Sequence, residues 1–145
     1  MSGFLLDTNV LVYAVDESAL IHEQCYAVVE RAMSGKLEAV VVPQVLMEFY
    51  AVVTSPWRVR YPLAPRDGAR QIDDWRRTIA VRYPTVASLE HWTALASELG
   101  PVGQEVHDLF LVAQMRSHAI TDICTANVGD FAGVRGIVPH PPSSV

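Results

Sequence analysis

The stretch FLLDTN, Phe4 to Asn9, joins an apolar run to three polar side chains at the point where the run ends. A short, continuous apolar run is typical of a strand that is buried on both faces of a sheet. Asp7, directly after it, is either the cap of the next helix or part of a site at the carboxyl end of the strand. The rest of the sequence decides between these interpretations.

Strand and helix patterns alternate along the chain. EAVVV (38–42) and ITDICTAN (120–127) predict two more strands, and RGIVPHP (135–141) predicts a short edge strand. Helical periodicity, bounded by Ser, Pro and Gly, predicts helices at 9–15, 18–35, 43–56, 65–82, 88–100 and 104–119. This alternation favours an α/β fold with a mostly parallel sheet covered by helices on both faces. We expect a single domain over residues 1–145, with a tail that frays from about residue 140.

Composition excludes several classes of protein. Half of the 145 residues are hydrophobic, but no stretch approaches the roughly 18 apolar residues of a membrane span. The start of the chain lacks the pattern of a signal peptide, which predicts a cytoplasmic protein. Cys25 and Cys124 lie in apolar runs, without Cys or His at the spacing of metal ligands, and are expected to be buried free thiols.

Three acids lie where an unpaired charge is costly. Glu48 is flanked on its predicted helix by Val45 and Val52, and Asp108 is followed one turn later by Leu111 and Val112. Taken singly, Asp7, Glu48 and Asp108 could be a helix cap, a partly exposed helix acid and an acid favoured by the helix dipole. Taken together, and with few basic residues nearby, they predict a shared divalent cation. Carboxylate and amide oxygens suit Mg²⁺ or Mn²⁺ better than Zn²⁺.

Four motifs carry a family resemblance. LLDTNVLVYA, QVLMEFYAVVT, HDLFLVAQMRSHAI and TANVGDF follow one another in this order between Phe4 and Pro139. The combination resembles the PIN-domain ribonucleases, and in particular the VapC-type toxins of bacterial toxin-antitoxin pairs. The resemblance implies a three-layer α/β/α sandwich, a Mg²⁺- or Mn²⁺-dependent endoribonuclease site, a homodimer and a small VapB-type antitoxin that blocks the site.

The resemblance also implies roles for individual residues. Its acidic set falls on Asp7, Glu48 and Asp108, and its fourth polar position falls on Asn127, with Asp130 as a possible further acid. We expect Asp7 and Asp108 to bind the metal, directly or through water, and Glu48 to be a ligand or the acceptor of the attacking water's proton. Three further side chains next to the strand ends are candidates for orienting these carboxylates through hydrogen bonds: Thr8, Asn9 and Thr125. The two threonines could equally cap a helix or turn, and Asn9 could instead begin the helix.

Positive charge is concentrated in one segment. The net charge is −5, yet residues 58–82 contain seven arginines, no lysine and only three aspartates. This segment, here called the arginine segment, is either a solvated helix face or a surface that contacts RNA phosphates. On the second interpretation Trp57, Tyr61 and Trp75 would stack on unpaired bases. The arginines are Arg58, Arg60, Arg66, Arg70, Arg76, Arg77 and Arg82.

Two other functions remain open at this point. A non-catalytic protein of the same fold could bind RNA or a partner, although the three acids that catalysis would need are present. A phosphatase of the haloacid-dehalogenase type would use Asp7 as a phosphoryl acceptor, but it would carry a second Asp where Asn9 stands. The five histidines fall at no recognisable catalytic spacing and are expected to be surface or core residues.

Overall fold

Short strands and longer helices alternate in residues 3–145, which the computed structural model describes. The strands are β1 (Phe4–Leu6), β2 (Ala39–Val41), β3 (Ala80–Val81), β4 (Asp122–Cys124) and β5 (Val138–His140). The helices are α1 (Thr8–Val15), α2 (His22–Met33), α3 (Pro43–Val53), α4 (Pro65–Thr78), α5 (Val86–Leu99) and α6 (Glu105–Ser117). Single 3₁₀ turns span Val128–Asp130 and Pro142–Ser144.

The strands form one parallel sheet with the order β3-β2-β1-β4-β5. At its centre Leu5 of β1 lies between Val40 of β2 and Ile123 of β4. Leu5 and Leu6 are both fully buried. Because successive side chains of a strand point to opposite faces, helices must cover both faces of this sheet. The predicted parallel sheet is confirmed.

The helices form two layers. Helix α1 packs against α2 and α3, and α3 packs against α4, whereas α5 packs against α6. From β1 the chain adds β2 and then β3 on one side of the sheet, and it afterwards adds β4 and β5 on the other side of β1. Right-handed crossovers therefore put α1–α4 on one face and α5 and α6 on the other. This arrangement is the expected three-layer α/β/α sandwich.

Two glycines permit close approaches that position the elements of the site. Gly3 has a φ of +73°, and a Cβ there would lie 2.5 Å from the Glu38 carbonyl oxygen, beside the start of β1. Gly68 of α4 faces the Tyr50 ring of α3, which a Cβ would approach to 3.1 Å. Together with the buried Trp75, Gly68 is the part of α4 that packs inward.

Two predicted helix boundaries are wrong. Ser18 does not cap α2, which begins at His22, because the Ser18 N–H and hydroxyl both donate to Asp16 Oδ1 and close a turn. The helix predicted over 65–82 ends at Thr78, and the following residues form the edge strand β3. Pairing with β2 decides this, since the Arg82 N–H donates to the Val41 carbonyl oxygen at 2.9 Å.

The C-terminal residues, for which sequence analysis expects fraying from about residue 140, contact the body of the protein in the structure. Pro142 is buried and Val145 packs against the core. Arg31 of α2 donates to the Val145 carbonyl oxygen at 2.8 Å, which fixes the last turn to the body of the protein. The predicted edge strand, by contrast, is present as β5.

Two further expectations concern the cysteines and membrane-spanning helices. Cys25 and Cys124 are buried free thiols, as predicted, and burial raises their pKa to about 11 and about 12. No helix among residues 3–145 is long and apolar enough to span a membrane.

Candidate active site

A cavity of about 650 Å³ opens at the carboxyl ends of β1 and β4. Its acidic lining residues come from separate parts of the chain: Asp7, Asp16, Glu48, Asp108 and Asp130. Asn127 lines the same cavity. The structure thus brings together every side chain that sequence analysis assigned to a metal site. We call this feature the acidic cavity.

Asp7 is the most buried acid of the acidic cavity, with 8% of its surface exposed. Its Oδ1 accepts the Thr8 N–H at 2.7 Å, so Asp7 also caps α1 as the simpler interpretation proposed. Its Oδ2 accepts the Thr125 hydroxyl at 2.8 Å and the Asn9 amide at 3.3 Å. The pKa of Asp7 is raised to about 6 in total. Burial raises it most, the hydrogen bonds from Thr125 and Thr8 lower it, and the charges of Asp108 and Glu48 raise it.

Thr125 and Asn9 join the ends of β1 and β4. The fully buried Thr125 hydroxyl donates to Asp7 and accepts the Asn127 N–H at 3.0 Å. Asn9 donates to Asp7 and accepts the Ala126 N–H at 3.0 Å. Both alternatives hold together: Asn9 lies in the first turn of α1 and Thr125 accepts an N–H in the following turn, while each also contacts Asp7 across the two strand ends. Both hold the Asp7 carboxylate in one orientation.

Glu48 is half-buried on α3 and is held through both of its oxygens. Oε2 accepts the Thr8 hydroxyl at 2.9 Å, and Oε1 accepts the Gln44 amide at 3.1 Å. Thr8 therefore links two acids of the acidic cavity, since its backbone contacts Asp7 and its hydroxyl contacts Glu48. Gln44 is a polar side chain of the site that sequence analysis missed, although its position one turn before Glu48 was a usable signal.

Asp108 is half-buried on the first turn of α6. Burial raises its pKa, and the neighbouring charges of Asp130 and Glu48 raise it further, against a hydrogen bond from Gln104 and the charge of His107. Asp130 and Asn127 are exposed at the rim, on and just before a 3₁₀ turn. His107 is exposed, as expected, but it also lines the cavity beside the acids, which sequence analysis missed.

None of the four acids Asp7, Glu48, Asp108 and Asp130 forms an ion pair with a basic side chain among residues 3–145. Nor do any three His, Cys, Asp or Glu side chains in that range lie close enough to form a complete metal-binding group. Oxygen donors without paired cations suit Mg²⁺ or Mn²⁺, and Mg²⁺ usually keeps several water ligands and uses one or two protein carboxylates. The donor chemistry therefore fits such an ion when water supplies the remaining ligands.

The arginines of the arginine segment are all exposed, and they extend from the mouth of the acidic cavity along α4. Arg58 lines the cavity. Arg70 pairs with Asp67 at 3.6 Å and Arg76 with Asp73 at 2.7 Å, each one helical turn away. The remaining members are exposed, and Arg60 lies 5.5 Å from the Tyr61 ring centre. They are Arg60, Arg66, Arg77 and Arg82.

One aromatic expectation for this segment is wrong. Trp75 is only 1% exposed and packs edge-on against Phe49, with ring centres 4.6 Å apart. It anchors α4 to the core and has no face for a base. Trp57 and Tyr61, at 93% and 68% exposure, keep open faces.

Comparison with known proteins identifies the family and the fold. The family model described as PIN domain matches residues 4–136. The chain is 30% identical to ribonuclease VapC48 of Mycobacterium tuberculosis over 95% of this chain and 96% of that protein. A DNA-bound VapBC structure from Salmonella typhimurium has a TM-score of 0.73 at 19% identity, covering 98% of this chain and 99% of that one. A toxin-antitoxin complex from Klebsiella pneumoniae has a TM-score of 0.62 at 19% identity, covering 96% and 97%. The chain therefore belongs to the PIN domain family.

Proposed function

We propose that this protein is a Mg²⁺- or Mn²⁺-dependent endoribonuclease that acts as the toxin of a toxin-antitoxin pair. One observation carries the proposal: buried Asp7 shares an open cavity with Glu48 and Asp108, and no basic residue pairs with them among residues 3–145. Such an arrangement is costly unless a cation compensates it. The 30% identity to a ribonuclease over nearly the whole chain supports RNA as the substrate.

The residues of the acidic cavity would have separate roles in this reaction. Asp7 and Asp108 would hold the ion, in part through water, with Asn127 or Asp130 completing the polar rim. A bound Mg²⁺ or Mn²⁺ supplies charge stabilisation at the phosphoryl oxygens and acidifies a bound water. Glu48 would accept the proton of the attacking water or bind the ion itself. Thr8, Asn9 and Thr125 would keep the carboxylates oriented. In-line hydrolysis of this kind requires no covalent nucleophile.

The RNA must approach an acidic pocket, and the arginine segment would compensate that charge, which the place of Arg58 in the cavity lining supports. Arg58 at the cavity mouth and the exposed arginines of α4 would contact the phosphates. Trp57 and Tyr61 would stack on unpaired bases. We also propose a small VapB-type antitoxin as partner and a homodimer as the assembled form, both on the strength of the family. Cytoplasmic location is part of the same proposal.

The deciding experiment is incubation of the purified protein with total RNA, with and without Mn²⁺, followed by mapping of new RNA ends. We expect discrete cuts that require both Mn²⁺ and Asp108, with Asp108→Asn as the inactive control. Calorimetric titration with Mn²⁺ accompanies it. Failure to bind Mn²⁺ together with an absence of cuts would reject the enzyme and favour the non-catalytic RNA- or partner-binding protein.

A further inference from the structure

Two glutamines connect α6 to Glu48. Gln114 of α6 is 1% exposed, and its amide donates to Gln44 Oε1 at 2.9 Å. The Gln44 amide in turn donates to Glu48 Oε1 at 3.1 Å. The connection therefore runs from a buried residue that does not line the acidic cavity to a carboxylate that does.

The direction of both amides follows from their other partners. The Gln114 amide nitrogen also lies 3.4 Å from the Phe110 carbonyl oxygen, and that of Gln44 lies 3.1 Å from the His107 carbonyl oxygen. A carbonyl oxygen only accepts, so each of these positions must be filled by an N–H group. Two backbone carbonyls of α6 therefore orient both glutamines so that an N–H of Gln44 points at Glu48.

Gln114 makes its side-chain hydrogen bonds through its amide nitrogen alone. Its Oε1 is buried and has no hydrogen-bond partner in the described part of the chain. A buried acceptor without a donor lowers stability, and an apolar side chain of similar shape avoids that cost. The hydrogen bonds that Gln114 does make are therefore directed at Gln44 and at the Phe110 carbonyl oxygen.

We propose that Gln114 and Gln44 are positioning residues that set the orientation of the Glu48 carboxylate relative to Asp108. Glu48 then receives one hydrogen bond on each oxygen, from Gln44 and from Thr8, and its remaining lone pairs are available to the cavity. The contact of Gln44 with the His107 carbonyl ties α3 to the residue directly before Asp108. The expected effect on RNA cleavage rests on the proposed function, whereas the expected orientation of Glu48 does not depend on it.

The test uses Gln44→Met and Gln114→Met, singly and combined, in the full-length protein. The structural readout is NMR: the side-chain carboxyl ¹³C resonance of Glu48 and, where Gln44 is present, its side-chain amide resonances. We expect Gln114→Met to remain folded, to shift the Gln44 amide resonances and to move the Glu48 signal. Gln44→Met should move the Glu48 signal further, and the double variant should match Gln44→Met.

The kinetic readout is steady-state cleavage of RNA with Mn²⁺. We expect kcat to fall about tenfold in Gln44→Met and less in Gln114→Met, at unchanged KM, since misplacement of a catalytic group lowers the chemical step. Gln114→Met should have no further effect in the Gln44→Met background.

The matched control is Ser117→Ala, which removes the hydroxyl contacts of α6 with Ser88 at 2.7 Å and with the Gln114 carbonyl oxygen at 2.8 Å but leaves the Gln114 side chain and its partners in place. It should leave both the Glu48 signal and kcat unchanged. An unmoved Glu48 signal in Gln114→Met, or additive losses in the double variant, would overturn the inference. If the wild type cuts no RNA, the proposed function fails by itself, and the NMR readout still decides whether the two glutamines orient Glu48.

Discussion

The acidic cavity and the arginine segment carry opposite charges and hold them by opposite means. In the acidic cavity, buried or half-buried carboxylates are held by neutral donors: Thr8, Asn9, Gln44 and Thr125. In the arginine segment the charges are exposed, and two arginines pair with aspartates one turn away. Surface pairs of that kind contribute little to stability, whereas buried carboxylates without a counterion are costly. The comparison teaches that the acidic cavity carries charge which only the proposed cation would compensate, whereas the arginine segment carries exposed charge which the proposed RNA would contact.

The largest expected effect comes from removing a charge in the acidic cavity. Asp7→Asn should lower the rate of Mn²⁺-dependent RNA cleavage about 10³-fold, because a metal ligand contributes several kcal/mol to transition-state stabilisation. The measurement is single-turnover cleavage at saturating Mn²⁺. The matched control is Asp122→Asn, since Asp122 lies at the start of β4 and pairs with His140 outside the cavity. An Asp7→Asn rate within tenfold of wild type would remove Asp7 from the catalytic set.

A second effect follows from the raised pKa of Asp7. Because its folded-state pKa of about 6 exceeds the ordinary value of an unfolded Asp, the folded state binds the proton more tightly. This contribution to stability is present at low pH and is lost as the pH rises through about 6. Between pH 4.5 and 7.5 wild type should therefore lose about 2 kcal/mol of unfolding free energy relative to Asp7→Asn.

Urea unfolding of both proteins at the two pH values, without divalent cations, measures this difference. Repeating the pH 7.5 experiment with Mn²⁺ should stabilise wild type and leave Asp7→Asn almost unchanged, since a ligand that binds only the folded state adds to stability. A difference that does not vary with pH would mean that the Asp7 charge is compensated without a metal.

The smallest effects are expected in the arginine segment. Arg58→Ala should weaken RNA binding several-fold and reduce the salt slope by about 0.7, the contribution of one phosphate contact on a single strand. Arg70→Ala is the matched comparison, and its effect should be smaller, because Arg70 already pairs with Asp67 and lies outside the cavity lining. Titration of labelled RNA at several salt concentrations measures both.

A combined Arg76→Ala and Arg77→Ala variant tests the far end of the segment on α4. We expect weaker binding and a shallower salt slope, with cleavage at saturating RNA retained. Unchanged affinity and slope in this variant would restrict the RNA contact to the residues near the cavity mouth.

Most of the architecture was predictable because its signals are local. Pro43 at the start of α3 and Gly100 at the end of α5 mark boundaries by their own backbone preferences. The failures occurred where a nearby or long-range partner overrode the local signal. Ser18 forms a turn with Asp16 instead of capping a helix, and Ala80, predicted to be helical, pairs with Val40 in the sheet. Trp75 was misplaced although a local signal was present: Ile72, Trp75 and Ile79 recur at helical spacing, which indicates that this side of the helix packs inward.

The sequence by itself determined that Asp7 follows a buried strand and that Glu48 and Asp108 lie on apolar helices without nearby cations. Those features depend on residue type and short-range period, and they were enough to indicate a metal site. Only the tertiary structure decided the hydrogen-bond network. Thr8 meets Glu48 across 40 residues and Thr125 meets Asp7 across 118. Parallel strand pairing and helix packing bring these side chains together, and no local period encodes distances of that kind.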